Sequence, residues 1–316
     1  MIGIKDIGVY IPESYISNRD RKEKFEIDDN FIQNKIGVER VTRKLINEDT
    51  SDLCVHAFNT LVGKNGVNIN DIDCIIVCTQ NPDKNGIPHT SSIVHKKLNG
   101  KDECACFDIS LGCSGYVYSF SIIKSFMEAN GMKKGLLFTA DPYSKIINEE
   151  DKNTSLLFGD AATVTLLTNE ESNWFPMKFK FSTRGKDGDA LHNNEGSLEM
   201  DGRAVFNFSA KSVPLQVSSL LNEVGLRLED INLFIFHQGS RYIVETLARR
   251  IKIDKEKLAF GMDKYGNTVS SSIPIILEKE INKSLGKILL SGFGVGLSWA
   301  SCIIEKGKVE GKTHGR

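Results

Sequence analysis

Neither sign of charge dominates this sequence: 40 Lys and Arg face 41 Asp and Glu, a formal net charge of −1 in 316 residues. Without a global field to attract a polyanion, and without an Arg-Lys stripe interleaved with aromatics, nucleic acid is excluded as the main partner. Long apolar runs are missing too. The longest uncharged stretch, Ile288 to Ile304, is broken by Gly292, Gly294 and Gly296 and falls short of the roughly 20 apolar residues of a membrane span. It reads as two buried strands around a glycine turn, so no membrane role is expected. Lys5 and Asp6 interrupt what would have to be the apolar core of an export signal, which predicts a cytoplasmic protein.

Cysteine is scarce and odd in number. Cys54, Cys74, Cys78, Cys104, Cys106, Cys113 and Cys302 lie mostly in apolar strand-like runs and read as reduced thiols, not as a disulfide framework. Cys104 and Cys106 point to one face of a strand, but no His or Cys pair at a matching spacing completes four ligands, so no metal is expected. What is present, 40% apolar and 26% charged residues, describes one large domain or two half-length ones.

Short β-rich runs alternate with helical patterns: IGIKDIGVYI at the start, CIIVCTQ (74 to 80), ACFDIS (105 to 110), GLLFTAD (135 to 141), AATVTLL (161 to 167), LFIFHQ (233 to 238) and KILLSGF (287 to 293). Such alternation predicts an α/β protein with buried, partly parallel sheets. The pattern also repeats. DIDCIIVCTQ from Asp71 and DINLFIFHQ from Asp230 share a layout and lie 159 residues apart, each after an amphipathic helix, around Leu53 to Val62 and Val213 to Val224. Downstream, ACFDIS, LGCSG, a helix and GLLFTAD in the first copy correspond to KLAFGMD, KYGNT, a helix and KILLSGF in the second. An internal duplication follows, with an N-terminal half (1–168), an irregular, Gly- and charge-rich connecting segment that lines the substrate site (169–208), and a C-terminal half (209–316).

In LGCSGY, Cys113 stands between a buried strand and a helix whose apolar residues Tyr116, Phe120, Ile123 and Met127 recur at helical spacing. A thiol there faces unpaired amides and the positive end of the helix dipole, which lower its pKa; the plainer reading is a small apolar residue at a junction. His237 closes LFIFHQ at the position equivalent to Cys78, and Asn267 occupies the turn equivalent to the one carrying Cys113. A core histidine and an N-cap would explain these two singly. Halves related by a pseudo-twofold would instead bring thiol, imidazole and amide together.

LGCSGY, HQGS and YGNTVSSSIP, with LFGDAATVTLL and SGFGVGLSWASCII, resemble the β-ketoacyl-ACP synthase III family over nearly the whole chain. The resemblance implies a thiolase-like fold of two pseudo-twofold-related halves in α-β-α-β-α layers, and a decarboxylative Claisen condensation of an acyl-CoA primer with malonyl-acyl carrier protein. It implies Cys113 as nucleophile, His237 and Asn267 as donors to the malonyl thioester, the backbone N–H groups of Cys113 and Val295 as an oxyanion hole, and no cofactor. By the same resemblance Phe31, Lys35, Lys152, Arg203 and Ser240 contact CoA or its pantetheine arm, and Arg249 and Arg250 dock the acidic carrier protein. Ile87 enters a partner's acyl pocket, which implies a homodimer.

Three departures bear on specificity. HQGS replaces the family's usual HQAN, Arg203 replaces an Asn, and Val295 stands where Gly is typical. They point to a specialised paralogue with an unusual acyl group or acceptor. Two other readings stay open at this level: non-decarboxylating transfer from the Cys to a hydroxyl or amine, and a non-catalytic carrier-binding scaffold. A papain-like Cys/His/Asn hydrolase does not fit the context of Cys113.

Overall fold

The computed structural model describes residues 1–170 and 172–307. Nine strands carry the fold: β1 (Gly3–Tyr10), β2 (Cys74–Cys78), β3 (Ala105–Ile109), β4 (Lys134–Ala140), β5 (Ala162–Thr168), β6 (Trp174–Thr183), β7 (Leu233–Phe236), β8 (Lys287–Gly294) and β9 (Ser298–Lys306). Six helices of at least eight residues pack on them: α1 (Thr50–Asn65), α2 (Thr90–Leu98), α3 (Gly115–Ala129), α4 (Gly202–Val224), α5 (Arg241–Ile251) and α6 (Ser272–Glu280).

Strand order is β7-β8-β9-β6-β1-β5-β4-β2-β3. Outward from β1, the neighbours β5, β4, β2 and β3 pair antiparallel, antiparallel, parallel and parallel. Outward from β6, the neighbours β9, β8 and β7 repeat the first three directions, and a parallel bridge from Phe234 to Leu258 supplies the fourth. The two series meet only where Ile4 pairs with Trp174. The KLAFGMD strand of the second copy is thus reduced to a single bridge, because charged Lys255, Glu256 and Lys257 form a short turn that leaves little chain to extend.

Helices α3 and α6 occupy the middle layer: α3 touches β2 and β4 on one side and β6, β8 and β9 on the other, and α6 touches β1 and β5 as well as β7 and β8. Helices facing sheets on both sides must be apolar around most of their circumference. Accordingly Ser272 through Leu277 are all buried, as are Tyr116, Val117, Phe120, Ile123 and Met127, each large side chain stabilising the fold by about 1.5–3 kcal/mol. Outside, α1 packs on β1, β4 and β5, and α4 packs on β6, β8 and β9, which completes the α-β-α-β-α layering of a thiolase-like fold.

The 169–208 stretch is not irregular. It holds all of β6, a hairpin of Leu191–Asn194 and Ser197–Met200, and the first turns of α4. WFPMKFKFST escapes recognition as a strand because Pro176 interrupts it, although Lys178 and Lys180 alternate with Phe179 and Phe181 on a half-exposed surface. The proline, which has no N–H to give, sits where the pairing with β9 shifts register.

Candidate active site

From the end of β3 the chain turns through Leu111 and Gly112 and places Cys113 two residues before α3. The turn has no room for side chains. A Cβ on Gly112 would stand 2.5 Å from Gln80 Oε1, and one on Gly294 would stand 2.7 Å from both Cβ and Sγ of Cys113. Ser298 Oγ donates to the Val295 carbonyl at 3.0 Å and therefore accepts from Ser114 Oγ at 2.7 Å, which fastens the GVG turn to the helix start.

The expected lowering of the Cys113 pKa does not occur. The side chain is 3% exposed, and burial pushes the thiol up to about 12 although the N–H groups of Val295 and of Cys113 itself favour the thiolate. Desolvation of a wholly buried charge exceeds what two amides and a helix end two residues away return.

His237 extends β7 by one residue, its N–H donating to the Ser291 carbonyl at 2.8 Å. Its ring meets Phe293 edge to face, with centroids 5.5 Å apart, and burial lowers its pKa to about 3, so the imidazole is neutral at pH 7. Ser272 Oγ lies 2.7 Å from Nδ1 and also accepts from the Gln238 N–H at 3.4 Å; its hydroxyl can donate to Nδ1 or accept from it. With the hydroxyl donating, the ring proton stands on Nε2. Asn267 Nδ2 lies 3.4 Å from that nitrogen, and Val269 N–H donates to Asn267 Oδ1 at 2.9 Å, which fixes the amide with its NH₂ beside the ring. In that tautomer His237 Nε2 and Asn267 Nδ2 present two N–H groups side by side, a geometry that suits one oxyanion.

Val269 adopts φ +53°, a left-handed conformation that costs a β-branched residue about 1–3 kcal/mol. The next residue holds it there. Ser270 Oγ donates to Asp141 at 2.5 Å, and Asp141 also accepts from Gln80 N–H at 2.6 Å. Burial raises the Asp141 pKa to about 6 despite these bonds. Asp141, Val269, Ser270 and Ser272 escaped the sequence reading. For Asp141 there was a signal, an acid ending the apolar run GLLFTAD; the serines sit in a run of small residues with none.

Cys113, His237 and Asn267 line one cavity of about 480 Å³ with Phe293 and Gly294. Its apolar wall includes Ile36, Leu156, Phe158, Leu191 and Val205. Phe31, Lys35, Lys152, Arg203 and Ser240 line the same cavity. Lys152 Nζ lies 5.4 Å from the Phe31 ring centroid and Lys35 Nζ 4.2 Å from that of Tyr242. Ser240 caps α5 by accepting from Ile243 N–H at 3.2 Å, a task that Asn performs equally well.

The remaining expected positions do not line the cavity, although the Val295 N–H faces Cys113. Val295 is half-buried beside Gly294, while Ile87 is 85% exposed and outside this chain's cavity. Arg249 and Arg250 are exposed in the last turn of α5, the end of the helix opposite Ser240. Cys104 and Cys106 have one histidine beside them, three groups and not the four sought from spacing: the turn after α2 brings His95 near both sulfurs. All seven cysteines are free, and no described helix is long and apolar enough to cross a membrane.

Residues 107–185 match the family model described as 3-oxoacyl-[acyl-carrier-protein] synthase III, and residues 221–306 match that of its C-terminal part. The β-ketoacyl-[acyl-carrier-protein] synthase III of Clostridium perfringens is 33% identical, the alignment covering 96% of this chain and 98% of that protein. That of Caldanaerobacter subterraneus subsp. tengcongensis is also 33% identical, covering 97% and 98%. The crystal structure of 3-oxoacyl-[acyl-carrier-protein] synthase III from Aquifex aeolicus superposes with a TM-score of 0.90 at 29% identity, covering 96% of this chain and 100% of that one. The chain belongs to the 3-oxoacyl-[acyl-carrier-protein] synthase III family and is a condensing enzyme of the thiolase fold.

Proposed function

We propose that the protein condenses an acyl-CoA primer with malonyl-acyl carrier protein, releasing CO₂ and a β-ketoacyl product. The observation that carries this reading is the placement of His237 Nε2 and Asn267 Nδ2, 3.4 Å apart, in the cavity that also holds Cys113. In the first half-reaction Cys113 Sγ attacks the acyl-CoA carbonyl, a thioester forms on Sγ, and the thiol proton ends on the departing CoA. The Cys113 and Val295 N–H groups receive the oxyanion of each tetrahedral intermediate. In the second, loss of CO₂ from the malonyl thioester leaves an enolate whose oxygen accepts from His237 and Asn267; its carbon attacks the acyl-enzyme, the C–Sγ bond breaks, and Cys113 leaves as a thiolate that takes a proton from water. Because burial holds His237 neutral, it stabilises the enolate as a hydrogen-bond donor and not as a cation. No redox change occurs in either step, so the chemistry calls for no cofactor.

Lys35, Lys152 and Arg203 make no ion pair among the described residues, which suits them to the phosphates of CoA. Arg249 and Arg250 offer positive charge to an acidic carrier protein. Exposed Ile87 is assigned to the acyl pocket of a second copy, making the active unit a homodimer of two-halved subunits in the cytoplasm. Arg203, Ser240 and Val295 adapt this site to an acyl group or acceptor other than those of general fatty-acid initiation.

Intact-mass measurement after incubation with a panel of acyl-CoAs tests the first half-reaction, and CO₂ release on adding malonyl-acyl carrier protein tests the second. An acyl adduct absent from Cys113→Ala is expected, with CO₂ formed in step with product. An adduct that persists in that variant, or acyl transfer without CO₂, overturns the proposal.

A further inference from the structure

At the outer edge of the sheet, away from the cavity, His95 in the last turn of α2 meets Cys104, just before β3, and Cys106 within it. A ring nitrogen of His95 and the two sulfurs all lie within 4.8 Å of one another, and all three residues are half-buried in the single chain. Tetrahedral coordination with Zn–S bonds of about 2.3 Å places two sulfurs roughly 3.8 Å apart, so small side-chain movements would close the triad on an ion.

Three features prepare these groups. The Lys101 carbonyl accepts from His95 Nε2 at 2.9 Å, and since a carbonyl only accepts, Nδ1 retains the lone pair a metal needs. The same carbonyl accepts from Cys104 N–H at 3.1 Å, so one oxygen orients both a histidine and a cysteine of the cluster. Gly100 leaves space for the ring, since a Cβ there would stand 2.6 Å from His95 Cδ2. Nearby charge does not oppose an ion: Lys101 Nζ is paired with Asp73 at 3.3 Å.

We propose that His95, Cys104 and Cys106 form a site for a thiophilic divalent cation of the zinc type, which pins the end of α2 to the start of the strand leading to Cys113. Binding replaces two S–H bonds with two metal–sulfur bonds and releases two protons. The divalent charge is then balanced by two thiolates beside a neutral imidazole, with a fourth position left for water.

The test uses full-length protein carrying Cys113→Ala, which removes the nucleophile as a competing ligand, reduced and freed of metal by a chelator. Titration with Co²⁺ is expected to produce sulfur-to-metal charge-transfer and tetrahedral ligand-field bands saturating at one ion per chain, erased by Zn²⁺. Both are lost in Cys104→Ser/Cys106→Ser and weakened at least tenfold in His95→Ala. In the otherwise unaltered protein, Zn²⁺ is expected to protect Cys104 and Cys106 from alkylation, read by peptide mass, with Cys113 acylation unchanged. No saturable Co²⁺ spectrum, a spectrum that survives the double substitution, or alkylation of both thiols at the same rate with and without Zn²⁺ overturns the proposal.

Discussion

Val269 N–H donates to Asn267 Oδ1 at 2.9 Å, and the same bond that satisfies the amide oxygen turns the amide nitrogen toward His237. Asn267→Asp keeps the acceptor for Val269 but replaces the donor with a charge where an enolate must form. Decarboxylation is expected to fall by about 10²–10³. Acylation of Cys113, followed by intact mass, should remain within a few-fold of the parent rate.

Gly294 lies against the nucleophile. Adding one methyl in Gly294→Ala would place carbon 2.7 Å from Cys113 Sγ and Cβ. The thiol must then leave its position opposite the two amides, and adduct formation with any acyl-CoA should drop by more than about 10² in a protein that still shows a cooperative melt.

Burial sets the reactivity of Cys113. With its thiol pushed up to about 12, the ligand-free enzyme carries neutral sulfur at pH 7. Its alkylation rate by iodoacetamide should rise about tenfold per pH unit from 7 to 9. A plateau reached near pH 7 would show that the helix start, not burial, governs the thiol.

Asp141 makes stability fall as pH rises. Its folded pKa of about 6 lies above the ordinary 3.8, so this group's stabilising contribution is complete below about pH 4 and is lost by pH 6, as the unfolded chain ionises first. The shift amounts to about 3 kcal/mol. Asp141→Asn should therefore gain stability relative to the parent between pH 4 and 6.5, measured by thermal unfolding. A constant difference across that range would place the charge elsewhere.

At the cavity mouth, Lys152→Glu reverses a charge that lies over Phe31. KM for acyl-CoA should rise roughly tenfold, the equivalent of about 1.4 kcal/mol, with kcat little changed. An acyl-pantetheine substrate, which lacks the nucleotide, should not register the substitution.

Much of this molecule is legible in one dimension because its periodicities are strong. Two copies of strand, Gly-containing turn and helix stand 159 residues apart, and their matching order identifies Cys113, His237 and Asn267 as a set before any coordinates exist. Apolar spacing in GYVYSFSIIKSFMEA and the short β-rich runs of β1 and β8 are local properties, written in neighbouring residues. β6 was illegible because Pro176 breaks the run ahead of its Lys-Phe alternation, and only pairing with β9 makes it a strand.

Side-chain chemistry followed the opposite course. Residue types and their spacing indicated a helix-start thiol of low pKa, yet the pKa depends on how much protein surrounds the sulfur, a quantity summed over both halves of the chain. The same holds for Asp141, joined to Ser270 across 129 positions, and for His95, carried to Cys104 and Cys106 by one turn. Sequence alone determined which elements form, in what order, and which three polar residues their duplication brings together. Tertiary structure decided their protonation, their hydrogen-bond partners and the walls of the cavity, because desolvation and close contact are set by residues distant in the chain.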